Sequence, residues 1–223
     1  LEAVVGAQPG HEACNALGYV YIRLERQDDA ERWFRAALAR NPVFPDALTN
    51  LGNVLSSRRH WSEAVWLYRR ALEIAPGHSD AALNLGSALV KQGRVEEAIA
   101  AYRRAIAANP ANAEANVQLG NALKRLGKME EAEEAFLEAL RVRPDHAEAQ
   151  YFLATLGRGE SLQTAPAVYV AKLFDDYAET FDTELVGKLQ YHVPEALLAA
   201  VQAVLAGRRN LDVLDLGCGT GLC

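Results

Sequence analysis

Residues 45–78 read PDALTNLGNVLSSRRHWSEAVWLYRRALEIAPGH, and the fold follows from the recurrence of this 34-residue pattern, without a gap, on both sides of the quoted stretch. Gly18, Gly52, Gly86 and Gly120 stand 34 residues apart, as do Pro42, Pro76, Pro110 and Pro144. The same register aligns Leu17, Leu51, Leu85 and Leu119, then Ala30, Ala64, Ala98 and Ala132. It also aligns Phe34, Tyr68, Tyr102 and Phe136, then Ala37, Ala71, Ala105 and Ala139. A fixed period over so many columns implies stacked copies of one helical hairpin, each burying its apolar face against its neighbours. The glycine and alanine columns mark close helix crossings, and the aromatic and leucine columns fill the space beside them. Proline, with no N–H and a fixed φ, ends the second helix of each pair and directs the chain into the next unit. Gly93 and Gly127 fall at the turns inside the hairpins, where a left-handed residue ends the first helix; Glu25 and Arg59 hold those places in the earlier units, so their turns are expected to be strained or differently shaped.

These columns closely resemble the tetratricopeptide repeat. The resemblance implies an all-α, right-handed superhelical solenoid with four units at 11–44, 45–78, 79–112 and 113–146. Residues 1–10 read as the remnant of a preceding unit, with Ala3 one period before Ala37. Beyond the fourth unit Leu153 falls one period after Leu119, and the pattern stops at Gly157. Ala147 to Leu156 therefore reads as a capping helix, giving an array over 11–157.

Half of the 223 residues are hydrophobic and 23% are charged, enough to bury a core. A net charge of −6 and a pI near 5.4 give no overall attraction to nucleic acid or anionic membranes. No apolar run is long enough to cross a bilayer, and the start lacks the features of a signal peptide. Cys14, Cys218 and Cys223 have no second Cys or His at metal-ligand spacing, so no metal site is implied and a reduced, cytoplasmic setting is expected. The five histidines are scattered. Trp61 shares a column with Val95 and Met129 and reads as core filling. The acids at the starts of first helices, Glu12, Asp46, Asp80, Glu114 and Glu148, are explained by the helix dipole.

The family holds extended peptides on the face lined by the first helices. Here Asn50, Asn84 and Gln118 recur one period apart, with Asn53 and Asn121 a helical turn further on. A side-chain amide both donates and accepts, so a ladder of them can pair with the backbone of a peptide of any sequence; similar ladders line the repeats of O-linked N-acetylglucosamine transferases. The alternative is that these amides bond between adjacent helices and bind nothing.

Residues 158–165 read as a linker. Helical patterns follow near 167–181, 183–188 and 194–205, without the repeat's columns, and the period then changes in VLDLGCGTG at 213–221. That string resembles the first strand and glycine-rich turn of class I S-adenosylmethionine-dependent methyltransferases, and residues 173–197 resemble the helical lid of methyltransferases fused to such repeats. The resemblance covers 166–223 and implies the first part of an α/β, Rossmann-like domain. It would place Asp215, Gly217, Cys218, Gly219, Thr220 and Gly221 against S-adenosylmethionine, with Tyr177 and Phe181 closing over it or serving as core. Glycines admit the cofactor closely, and the acid can accept from its charged amino group. A dinucleotide turn is the rival, though its usual spacing is G-x-G-x-x-G.

The combined expectation is a polypeptide-binding scaffold attached to a methyltransferase; the alternative is a pure interaction module without catalysis. The chain begins without Met and stops soon after its first strand, so it is expected to be a piece of a longer protein. A lone strand makes no cofactor site, and this chain alone is expected neither to bind S-adenosylmethionine appreciably nor to transfer a methyl group.

Overall fold

The computed structural model describes residues 9–156. Each 34-residue unit contributes two helices, and the units superpose in register to the residue. The first helices are α1 (His11–Arg23), α3 (Pro45–Ser57), α5 (Ser79–Lys91) and α7 (Ala113–Arg125). The second helices are α2 (Gln27–Arg40), α4 (Trp61–Ile74), α6 (Val95–Ala108) and α8 (Met129–Val142), and α9 (Ala147–Thr155) follows as a single helix. Among the described residues there is no strand.

Each hairpin closes on its glycine. A methyl group on Gly18, Gly52, Gly86 or Gly120 would lie 2.5, 2.6, 2.4 or 2.7 Å from the ring of Phe34, Tyr68, Tyr102 or Phe136, respectively. These four rings are at most 1% exposed, so they have no space to move into. The alanines one turn away, Ala30, Ala64, Ala98 and Ala132, are fully buried. Leucines from both helices complete a core that runs unbroken from the first unit to α9.

The turns inside the hairpins share one hydrogen-bond pattern. The N–H of Arg26, His60, Arg94 and Lys128 bonds to the carbonyl five residues back, at 2.9 to 3.0 Å, and the preceding N–H bonds three residues back. This is the Schellman arrangement, which satisfies carbonyls at the helix end and needs a left-handed residue. Gly93 and Gly127 take it at φ 77° and 74°, and Glu25 and Arg59 are held in the same region at 59° and 64°. All four turns thus have one shape, and the strain expected at Glu25 and Arg59 is located in φ.

Second helices end at Arg40, Ile74, Ala108 and Val142, two residues before each proline. Successive units are then sewn together. Arg58 in the second unit's turn donates to Glu31 of α2 at 2.8 Å, Gln92 to Ser62 of α4 at 3.0 Å, and Arg104 of α6 to the Leu72 carbonyl of α4 at 2.9 Å. Beyond their hairpin partners, α3, α5 and α7 each pack on the second helix before them, and α1, α3, α5 and α7 also touch one another in turn.

Trp61 departs from its expected place in the core. It is the first residue of α4 and half-buried, with the Arg59 guanidinium 5.9 Å from its ring centre. Met129 in the same column is exposed, and only Val95 packs against the core. A helix's first residue lies at the edge of the stack, so this column carries no packing constraint.

Candidate peptide-binding surface on the first helices

The amides picked out in the sequence all lie on α3, α5 and α7, and all but Gln118 form bonds that run across the first helices. Asn50 donates from Nδ2 to Asn15 Oδ1 at 3.0 Å, joining α3 to α1. Asn84 donates to Asn53 Oδ1 at 2.8 Å, joining α5 to α3, and the same oxygen accepts from the Tyr68 hydroxyl at 2.8 Å. Asn121 donates to Glu148 Oε1 at 2.7 Å, joining α7 to α9. The series is interrupted between α5 and α7. There Gln118 donates to Glu114 within its own helix at 2.6 Å, and the residue one period after Asn53 is Ser87, whose hydroxyl donates back to the Leu83 carbonyl at 3.2 Å.

Asn15 and the Tyr68 hydroxyl, both members of this network, are not marked by the repeat columns. Asn15 stands one residue out of the Asn50 register, where the period places Ala16. The Tyr68 hydroxyl projects from the far end of a core ring. Burial raises the phenols of Tyr68 and Tyr102, so both hydroxyls stay protonated and act as donors.

The acidic column shares this surface. His78 accepts the Ala81 N–H through Nδ1 at 3.2 Å, capping α5, which leaves Nε2 to donate to Asp46 at 3.1 Å. His146, in the same place before α9, approaches Glu114 at 3.5 Å. These acids therefore bond to the residue that caps the next first helix as well as complementing helix dipoles. Lys124 is half-buried with its ammonium 4.7 Å from the Phe152 ring centre, and desolvation lowers its pKa. Among the described residues, no helix is long and apolar enough to cross a membrane.

The residues assigned to the cofactor by resemblance, Tyr177, Phe181, Asp215, Gly217, Cys218, Gly219, Thr220 and Gly221, lie outside the described residues.

Models of the tetratricopeptide repeat match residues 11–42, 55–104, 86–127 and 113–146. A comparison with curated protein sequences finds no match. Similar solved structures include MamA, at 24% identity over 66% of this chain and 86% of that one, with a TM-score of 0.59. YrrB, described as a tetratricopeptide protein with an unusual peptide-binding site, matches at 24% identity over 66% and 78% of the two chains, with a TM-score of 0.55. A thermophilic tetratricopeptide protein of Thermus thermophilus matches at 23% identity over 67% and 84%, with a TM-score of 0.57. At these identities the likeness is one of fold. The repeats at residues 11–42 and 55–146 belong to the tetratricopeptide family.

Proposed function

We propose that the surface of the first helices binds an extended polypeptide through its side-chain amides. The observation behind this reading is that the ladder is only partly used. Asn50, Asn84 and Asn121 each spend one N–H on a neighbouring helix, and each retains a second N–H and a carbonyl oxygen. The bonds between helices hold the amides in place, and the remaining donors and acceptors match those of an extended backbone. Pre-set amides lose little rotamer freedom on binding, which lowers the cost of capture. YrrB's description as peptide-binding, on the same fold, supports this reading. The negative net charge disfavours nucleic acid as the partner, and Cys14, a buried free thiol, suits a reducing cytoplasmic setting.

A screen of extended peptides against the native chain and an Asn50→Ala, Asn84→Ala, Asn121→Ala variant tests the ladder. Binding should weaken by about tenfold or more in the variant, the effect of losing one or two net hydrogen bonds of about 1 kcal/mol. Equal binding would remove the amides from the site.

The same proposal extends to catalysis through resemblance alone: the scaffold recruits a polypeptide to an S-adenosylmethionine-dependent methyltransferase whose first strand and turn are residues 213–221. The cofactor supplies an activated methyl group. Asp215 would hold its amino group, and the glycines from Gly217 to Gly221 would give it close backbone approach. Calorimetric titration of S-adenosylmethionine separates the alternatives. The 223-residue chain should give no saturable isotherm, and a longer product in which the sheet is complete should bind one cofactor and lose it on Asp215→Ala. An extended product that fails to bind leaves the repeats as a pure interaction module.

A further inference from the structure

Along the array, consecutive second helices are joined by one recurring ion pair. Arg69 on α4 donates to Glu97 on α6, and Arg103 on α6 donates to Glu131 on α8, each at 2.8 Å. One period earlier the pair would be Arg35 on α2 with Glu63 on α4, and it does not form. Arg35 donates instead to Glu31 in its own helix at 2.8 Å, and Glu63 has the His60 imidazole at 3.7 Å as its partner among the described residues.

The cause lies at position 31. The second and third units place Val65 and Ile99 in that column, both buried between helices, and the fourth places Glu133 there. A carboxylate there draws in Arg35 and the turn residue Arg58, each at 2.8 Å, and fills no apolar space. Trp66 stands where the next unit has Ala100 and is 60% exposed, too much for an indole that merely fills the core. Arg35, held by Glu31, and Trp66 both line a cavity of about 310 Å³. Its depth is formed by the buried Leu51, Leu55 and Leu67, and Arg35, Glu63 and Trp66 stand around it.

We propose that this seam is a second binding site, which takes one aromatic side chain of a partner polypeptide flanked by lysine or arginine. The cavity lies at the small end of ligand pockets, about 300 Å³ and upward, so it suits a single large side chain and not a folded element. An aromatic ring covers the leucines and meets the indole of Trp66 in a favourable ring contact. Charge sets the flanks. Glu31 neutralises Arg35, whereas Glu63 lacks the arginine that its column supplies elsewhere, so the field at the mouth favours a cation. The Arg70 guanidinium already stands 5.9 Å from the centre of the Trp66 ring, so the preference for a cation rests on Glu63. None of the ladder amides lines this cavity, so the two sites stand or fall separately.

The test uses the full chain labelled with 5-fluorotryptophan, whose resonances for Trp33, Trp61 and Trp66 are assigned by replacing each in turn with Phe. The probes are acetylated, amidated pentapeptides with a central phenylalanine flanked by lysines, the same with flanking glutamates, and the lysine form with a central alanine. The first should move the Trp66 resonance saturably. The other two should bind about tenfold more weakly or worse, since one removes the charge match and the other the anchor. Glu63→Gln should weaken the lysine peptide several-fold, and Glu31→Val, which restores the apolar filler, should abolish the shift while keeping the helical spectrum. The triple-asparagine variant should bind as the native chain does. Equal affinity for lysine and glutamate flanks, a shift that survives Glu31→Val, or no Trp66 shift with any probe would each overturn the proposal. So would a concentration-dependent dimer broken by Trp66→Ala in sedimentation, which would assign the seam to a second copy of the chain.

Discussion

The ring of Tyr102 occupies the space that a methyl group on Gly86 would need, with the nearest ring atom 2.4 Å away. Alanine at that site gains about 1 kcal/mol of helix propensity, but the ring, 1% exposed, has nowhere to go, and overpacking of this kind costs about 1–3 kcal/mol. Gly86→Ala should therefore lower the stability of the chain by up to about 2 kcal/mol net, measured by urea denaturation; a more stable variant would show that the ring yields. The opposite change is expected at Glu25. This residue makes the same turn as Gly93 and Gly127 at φ 59°, and a left-handed conformation costs a residue with a Cβ about 1–2 kcal/mol. Glu25→Gly should raise stability by about 0.5–1 kcal/mol after the extra entropy of the unfolded glycine is subtracted, visible as a higher melting temperature. Both effects are legible in sequence, because one unit shows what the next must accommodate: glycine at 93 and 127 reveals the backbone that residue 25 has to adopt. Trp61 is not legible in this way, since a column that begins a helix is not held by packing.

Between elements, the regular ion pairs along the second helices have a pH signature. Hydrogen bonding from Arg94 holds the Glu97 carboxyl below the usual carboxylate range, with further help from Arg69, and Lys128 does the same for Glu131, with Arg103 behind it. Depressed folded-state values mean that this contribution to stability is present above the unfolded pKa and is lost as pH falls through the folded one. The carboxyls are exposed, so the effect is small and screened by salt. Carboxyl resonances of Glu97 and Glu131 should titrate below the ordinary midpoint, about pH 4.3, and Lys128→Met should move Glu131 back towards it; an unmoved midpoint would refute the pairing. The same comparison of units shows why the candidate sites are only half legible. The amides at 50, 84 and 118 are periodic and stand out, but their partner Asn15 is out of register, and the direction in which an amide bonds depends on how closely the first helices approach. The open seam is the reverse case. Glu31 and Trp66 are visible as breaks in their columns, but a break has meaning only once Arg35 is seen to turn away from Glu63.

At the scale of the whole array, each helix touches only its near neighbours, and no contact between the first and fourth units supports either. Stability in such a stack is approximately a sum over units and their interfaces, so the ends should be the weakest part unless they are covered. The cover is α9. Phe152 packs on Phe136 with ring centres 4.3 Å apart, Ala149 and Leu153 complete the surface, and the Lys124 ammonium lies over the Phe152 ring. Residues 9–156 should accordingly fold alone, as a cooperative helical melt would show. Removing α9 by ending that fragment at residue 146 would expose Phe136, which is fully buried, at a cost comparable to truncating a buried aromatic, about 3–5 kcal/mol. Because the loss falls on one interface, amide hydrogen exchange should accelerate strongly in α7 and α8 and progressively less towards α1. The gradient is the diagnostic feature. Uniform acceleration from α1 to α8 would mean that the array opens as one unit, and unchanged protection in α8 would mean that α9 is no cap.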